Sequence, residues 1–546
     1  MRIFVFLFFL CCMKFCFVSA RQFIDPSEFL EAVYVHKSKS IAVAGEDIPF
    51  LVDIRWQNNP TFSKMAYADL INRQGKRVAG AIIPLQEGKA AAYLSIPSTI
   101  PSDHYLFRVY TRLASSMEDE QNYHHSLITV IHPHIPPIGK KQSSNAWEAS
   151  QVKNAVQFSL HKEVLALGEM AELTITAPPG KNLTISISRK NPFLGDMKAI
   201  IPARETKFSS KEELIPEIQG HIIKGTLSET AIDSSRVYFL SAHGEKSNLF
   251  LGRPNKNGEV FFELGALKEY DFLLLQTEQD NVPFGMSIEQ PFAPVPSGDI
   301  LKFPALQLDE KDLGLLNDLV ISHAATAYYL KPEQQSIKAI STKFDVDKSY
   351  VLDEYVRFED LATTLKEYVP TVMVRTNDDK YHFKLTNFPE DRMFKDNPLM
   401  LIDGMPVFDS DAFGRHGADS IESIGVVNRK FYLLDNIFEG LINIKSYSND
   451  FGGFPIPESA LYLEYPSIQQ PVNWHFNTSV DEERGALPDF RTILFWEENI
   501  RMDKDGEVKV NFITSQSPGE YEVKVSSISD DGKQSWSKLD FKVLRE

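Results

Sequence analysis

The sequence predicts a mainly β protein: several β-sandwiches in series, with one small α+β domain among them. Three observations predict this. Short alternating apolar runs recur along most of the chain, punctuated by turn dipeptides such as Asn257-Gly258, Asp403-Gly404 and Asp505-Gly506. A His-Lys pair followed by Gly-Glu occurs twice, as His36-Lys37 with Gly45-Glu46 and His161-Lys162 with Gly168-Glu169. The two His-Lys pairs are 125 residues apart, a domain-sized repeat. Helical periodicity is confined to residues 309–330 and 358–368.

Residues 1–20, MRIFVFLFFLCCMKFCFVSA, read as a secretory signal cut after Ala20, with Arg2 ahead of an apolar run and small residues behind it. A membrane anchor is the competing reading; Lys14 interrupts the run and polar sequence follows, which favours the signal. All three cysteines, Cys11, Cys12 and Cys16, lie in this segment. The mature chain is therefore expected to lack disulfides, thiolate metal sites and cysteine nucleophiles, and to rely on packed cores. Loss of Arg2 and Lys14 takes the formal net charge from −17 to −19, which argues against nucleic acid as a partner. No later apolar run is long enough to cross a bilayer.

Residues 21–135 are expected to form the first sandwich, with strands at Ile48–Ile54 and Tyr105–Tyr110 and a turn at Asn72–Lys76. Residues 136–150 form a linker, heralded by His132-Pro133-His134-Ile135-Pro136-Pro137, whose prolines favour an extended spacer. The repeat then restarts the pattern for a second sandwich over 151–220. A third, over 221–296, contains the Asn257-Gly258 hairpin. Residues 297–344 form a helical connector, with Leu313, Leu315, Leu316, Leu319 and Val320 near the helical period and Pro332 as its stop. The α+β domain spans 345–450, and a last sandwich spans 451–546.

Several constellations invite chemistry, each with a structural alternative. His124, His125, His132 and His134 could converge on a metal, or mark a strand edge running into the proline linker. Asp503-Lys504-Asp505-Gly506-Glu507 resembles the start of a calcium loop, but Thr514 stands where an EF-hand needs Glu, so a plain turn accounts for it. Asp403, Asp409, Asp411, Asp419 and Glu422 could serve acid/base work or sit in turns and on a solvated rim. Arg415-His416-Gly417 could bind an anion or be an ordinary loop. Asn182-Leu-Thr and Asn477-Thr-Ser fit the glycosylation sequon. Nucleophile-elbow, zincin, Walker and dinucleotide motifs are missing from the sequence, and no cofactor or metal is expected. Of the 38 Phe, 19 Tyr and 5 Trp, the clusters Phe451–Pro455 and Tyr462–Tyr465 are divided between core and interface readings.

Two resemblances organise these segments. The run Pro398–Val407, PLMLIDGMPV, with Ile421-Glu422-Ser423-Ile424 and the Gly-x-Ile-x-Ile ending at Ile444, resembles the plug domain of TonB-dependent outer-membrane receptors. Phe358–Leu361 and Leu365–Pro370 match the helix and turn that precede that run. The residues after 450 are too few for a receptor barrel, so the resemblance implies a plug-like domain without its barrel. The two sandwich starts and residues 489–532, with Trp496 and Asp505-Gly506-Glu507, resemble the macroglobulin-type domains of the α2-macroglobulin family, hence immunoglobulin-like or macroglobulin-like sandwiches. The family's Cys-Gly-Glu-Gln thioester segment is missing, which excludes covalent protease capture.

Together these imply a non-enzymatic exported scaffold in the periplasm or at the outer membrane, with the cell surface as a further possibility. Its expected partner is an outer-membrane barrel or another envelope protein. The expected contact residues are Asp403, Gly404, Phe408, Arg415, Phe451 and Phe454. A glycan- or peptide-binding protein is the alternative, and a hydrolase using Asp409 or Asp411 the third reading.

Overall fold

A computed structural model describes residues 30–545 apart from 118–119, 121, 139–146, 150–155, 179–181, 196, 200–214, 230, 245, 266–269, 279–283, 297, 335–343, 378–379, 471, 477–488, 503–504 and 530–533. The expected signal segment, most of the proline linker, the Asn477 sequon and the first half of the Asp503–Glu507 loop lie outside the described residues. The chain is mainly β, as expected.

The first sandwich pairs Glu31–Lys37, Asp47–Trp56 and Lys89–Ser95 in one sheet. Its second sheet runs Ile41–Val43, His124–Ile131, Asp103–Tyr110, Met65–Ile71, Arg77–Pro84. Alternate residues such as Val35, Phe50, Val52, Leu70, Phe107 and Ile128 meet between the sheets, the pattern that β alternation dictates. Asp103–Tyr110 is buried along its whole length because its outer face is covered as well.

The second sandwich repeats this order, with a correction to the expected domain limits. Gln157–Leu160, Met170–Thr176 and Glu507–Ile513 form its small sheet. Val164–Ala166, Gln534–Leu544, Gly519–Ile528, Asn182–Arg189 and Ile493–Arg501 form its large one. Segments expected as two separate sandwiches, 151–220 and 451–546, thus build one. The four early strands cannot cover both faces of a core, and the four from 493 onward close it.

The repeat spacing is also corrected, from 125 to 123. Glu46 Oε2 accepts the backbone N–H of Val43 at 2.7 Å and Lys39 Nζ at 2.8 Å. Glu169 likewise accepts the N–H of Ala166 at 2.7 Å and Lys162 Nζ at 2.8 Å. Lys39 and Lys162, and Glu46 and Glu169, are each 123 apart, so His36 corresponds to Ser159. Gly45 and Gly168 both take left-handed φ, 97° and 70°, to turn the corner.

In the third sandwich, His221–Leu227, Glu259–Gly265 and Met286–Ile288 face a sheet of Asn248–Gly252, Tyr238–His243, Phe272–Thr277 and Leu461–Leu463. Its last strand comes from beyond the α+β domain, a second correction to the expected boundary at 451. Helix Leu313–Tyr329 falls where periodicity placed it and gives way to strand Leu330–Gln334, which contains Pro332.

The α+β domain has a five-stranded sheet ordered Lys348–Val351, Ile421–Val427, Leu441–Ser446, Leu399–Ile402, Met405–Pro406. A three-stranded sheet starting at Val372–Asn377 and helices Leu361–Tyr368 and Ser410–Arg415 complete it. Asp403 and Gly404 form the expected two-residue turn, with φ of 46° and 78°. Asp360 caps the first helix, accepting the N–H of Thr363 at 2.6 Å.

The first sandwich is the hub. On one side His36 donates to or accepts from Ser526 Oγ (2.7 Å) and Ser186 Oγ (2.9 Å) of the second sandwich, between Trp536 and Trp496. On the other side Met65, Tyr67, Ile82 and Tyr110 share a core with the third sandwich. There Arg108 is fully buried, donating twice to Asp69 and once to Glu120. Such a pair keeps its charge only because every donor is matched.

Candidate interaction surface

Five of the six residues expected to meet a partner are turned to the chain's own packing. Asp403 is buried; its carboxylate accepts the N–H of Ser446 (2.8 Å), the hydroxyl of Ser446 (2.5 Å) and the N–H of Phe451 (2.8 Å). Gly404 lies so close to the third sandwich that a Cβ would sit 2.8 Å from Ser247 Cβ. Phe408 is half-buried and meets Phe239 edge-on at 5.0 Å, while Phe451 meets His243 at 4.9 Å. Phe454 is buried against His416. Only Arg415 is exposed, its guanidinium 5.6 Å from the Tyr381 ring centre. Asp403, Gly404, Phe408 and Phe451 thus lie at the joint between the α+β domain and the third sandwich, whereas Phe454 and Arg415 pack within the α+β domain. At that joint burial lowers the His243 imidazole to about 4, against an opposing hydrogen bond with the Asp403 backbone.

The acids considered for catalysis are engaged locally. Asp409 caps helix Ser410–Arg415 through the N–H groups of Asp411 and Ala412; Asp411 accepts the N–H of Tyr381; Glu422 pairs with Lys445 at 2.6 Å. Asp419 is exposed. The clustered histidines separate: His125 meets Glu120 at 2.6 Å, His124 meets Ser126, and His132 Nδ1 accepts the N–H groups of His134 and Ile135. Among the described residues no group of three or more potential metal ligands comes together.

A different surface stands out. Phe431–Leu433 and Asn436–Phe438 form an isolated hairpin whose turn is Leu434-Asp435. Strand alternation points Phe431, Leu433 and Phe438 inward, onto a cluster that includes Phe239, Leu399, Leu401 and Phe344. The same alternation leaves Tyr432 and Ile437, directly opposite one another, 61% and 59% exposed, with Leu434 at the tip 74% exposed. Leu434 has a φ of 53°, a conformation costing a branched residue ~1–2 kcal/mol and normally filled by Gly, Asn or Asp. Arg253 of the third sandwich fixes the arm, donating to Asn436 Oδ1 and the Ser235 carbonyl and pairing with Asp435 at 3.3 Å.

Sequence reasoning passed over these three residues, although a signal was available. In FYLLDNIF six of eight residues are apolar, so a hairpin turning at Leu434-Asp435 must show apolar side chains on both faces, and one core covers only one.

No family model and no curated protein matches the chain. Solved structures similar to it include E. coli alpha-2-macroglobulin in its native conformation, at 9% identity and a TM-score of 0.24, covering 95% of this chain and 40% of that one. Salmonella alpha-2-macroglobulin reacted with methylamine is similar at 8% identity and 0.24, with 95% and 40% covered. The Yersinia pseudotuberculosis adhesin InvE follows at 12% identity and 0.14, with 47% and 57% covered. The chain spans about 40% of the length of the macroglobulins it matches. At these TM-scores the likeness carries no argument about activity.

Proposed function

We propose that this chain is a non-enzymatic, exported scaffold that works by protein–protein contact at the bacterial envelope, with the hairpin 431–438 as its contact arm. The observation that carries this reading is the set of Tyr432, Leu434 and Ile437, exposed together on a braced hairpin whose tip holds a strained leucine. A monomer gains nothing by exposing these side chains or by bearing the strain, whereas a partner that covers them gains apolar burial. Packing of Phe431, Leu433 and Phe438 against Phe239 and Leu251 of the third sandwich, with Arg253 holding the turn, gives the arm a firm base. The resemblance of 398–444 to a plug-like domain suggests an outer-membrane barrel, or a protein working with one, as the partner.

The test is purification of the tagged chain from solubilised envelopes, wild type beside Leu434→Asp, with co-purifying proteins identified by mass spectrometry. Stoichiometric recovery of a barrel protein by wild type and its loss in the variant is the expected result. Recovery of the chain alone would overturn the reading.

A further inference from the structure

A second surface of the α+β domain, formed around its first helix and independent of the hairpin, carries three rings. Tyr368 closes helix Leu361–Tyr368, and its hydroxyl donates to the Val356 carbonyl at 2.6 Å. Tyr355 lies 4.5 Å from Tyr368 at 40°, and Phe358 lies 5.3 Å from it at 38°. All three are half-buried, and Val356 beside them is 77% exposed. Arg357 extends the patch by lying over Tyr447 at 5.5 Å and donating to Asp353 at 2.7 Å, while Tyr447 is 51% exposed. Arg357 is further held by the carbonyls of Ala418 (2.7 Å) and Ile421 (2.9 Å), so its charge is committed within the domain.

Each ring has an exposed carboxylate as its chain neighbour: Glu354 beside Tyr355, Glu359 beside Phe358 and Glu367 beside Tyr368. Residues 353–368 hold five acids against Arg357 and Lys366, a formal net charge of −3. Aromatic surface of this kind, half-buried rings grouped at one spot, is what extended polyproline-type chains dock on, and their low conformational freedom limits the entropy lost on docking. Exposed acids beside the rings favour cations and disfavour anions. We infer that this patch binds an extended, proline-containing, lysine- or arginine-bearing segment of a partner protein.

The test uses the full chain and a fluorescent synthetic peptide of alternating lysine and proline. Controls are alternating glutamate–proline and alternating lysine–serine peptides of equal length. The expected result is saturable binding of the lysine–proline peptide, weakened at least tenfold by Tyr368→Ala and by the double change Glu354→Lys and Glu367→Lys, and weakened as salt rises. Thermal melts establish that each variant is folded; Val356→Lys, whose side chain is exposed beside the rings and adds a like charge to the peptide's, serves if Tyr368→Ala is not. Equal binding of lysine–serine would reduce the site to general charge attraction and overturn the inference, as would no saturable binding or binding unchanged in every folded variant. A dimer of the chain lost in Val356→Lys would assign the patch to a second copy and overturn it too. None of these outcomes depends on the Leu434→Asp result, so failure here and failure of the hairpin reading remain distinct.

Discussion

His36 of the first sandwich is hydrogen-bonded through Nδ1 to the Ser526 hydroxyl of the second, at 2.7 Å across 490 residues of chain. Its other nitrogen meets Ser186 Oγ. Burial, and secondarily the charge on Lys524, lowers the imidazole from 6.5 to about 3. His124 is lowered to about 3 and His104 and His243 to about 4, in each case chiefly by burial. A proton is therefore taken up near pH 6.5 by the unfolded chain and not by the folded one. Stability is full above about pH 6.5 and falls as pH drops towards 4, by about 1.4 kcal/mol per pH unit for each histidine involved. Urea melts at pH 7, 6 and 5 check this; His36→Gln should flatten the slope, and equal stability at all three pH values would contradict the assignment.

Leu434→Asn should raise stability by about 0.5–1 kcal/mol, because Asn tolerates the left-handed φ that strains leucine. The same variant should lose partner recovery from envelopes. Opposite signs in the two assays would identify the leucine as kept for contact rather than for folding.

Gly404→Ala acts at a joint. The new methyl meets a φ of 78° and the Ser247 Cβ at 2.8 Å, so a loss of about 1–3 kcal/mol is expected. Limited proteolysis of the variant should cut between the third sandwich and the α+β domain sooner than in wild type.

Glu46→Ala and Glu169→Ala remove the same two hydrogen bonds from equivalent corners. Lys39 and Glu46 are both about 3% exposed, so the first change strands a buried ammonium and should cost about 3–5 kcal/mol. At the second corner Lys162 is 56% exposed, and water can replace the lost carboxylate. Its melting temperature should shift far less; equal shifts would show that local geometry, not burial, sets the cost.

What was legible in the sequence was local chemistry. The Asp403-Gly404 turn and the Gly-Glu repeat each rest on a few adjacent residues, and each is found where those residues stand. Pairing between distant strands was not legible: nothing in Asn182–Arg189 specifies that Ile493–Arg501 is its neighbour, because both simply alternate. Which side of a boundary an aromatic faces was not legible for a related reason. Phe451 and Phe454 suit a core or an interface equally well, and only the arrival of His243 and His416 decides which.

The division of the second sandwich also sets a clock. Strand Asn182–Arg189 is complete long before Ile493–Arg501 exists, and at ~5–20 residues per second the intervening 303 residues take about 15–60 s to synthesise. During that interval the strand lacks both of its sheet neighbours, Ile493–Arg501 and Gly519–Ile528, and Leu183, Ile185 and Ile187 have only Gln157–Leu160 and Met170–Thr176 to pack against. The hub can fold on emergence, whereas its neighbour in sequence must be kept from aggregation until strand Gln534–Leu544 is made.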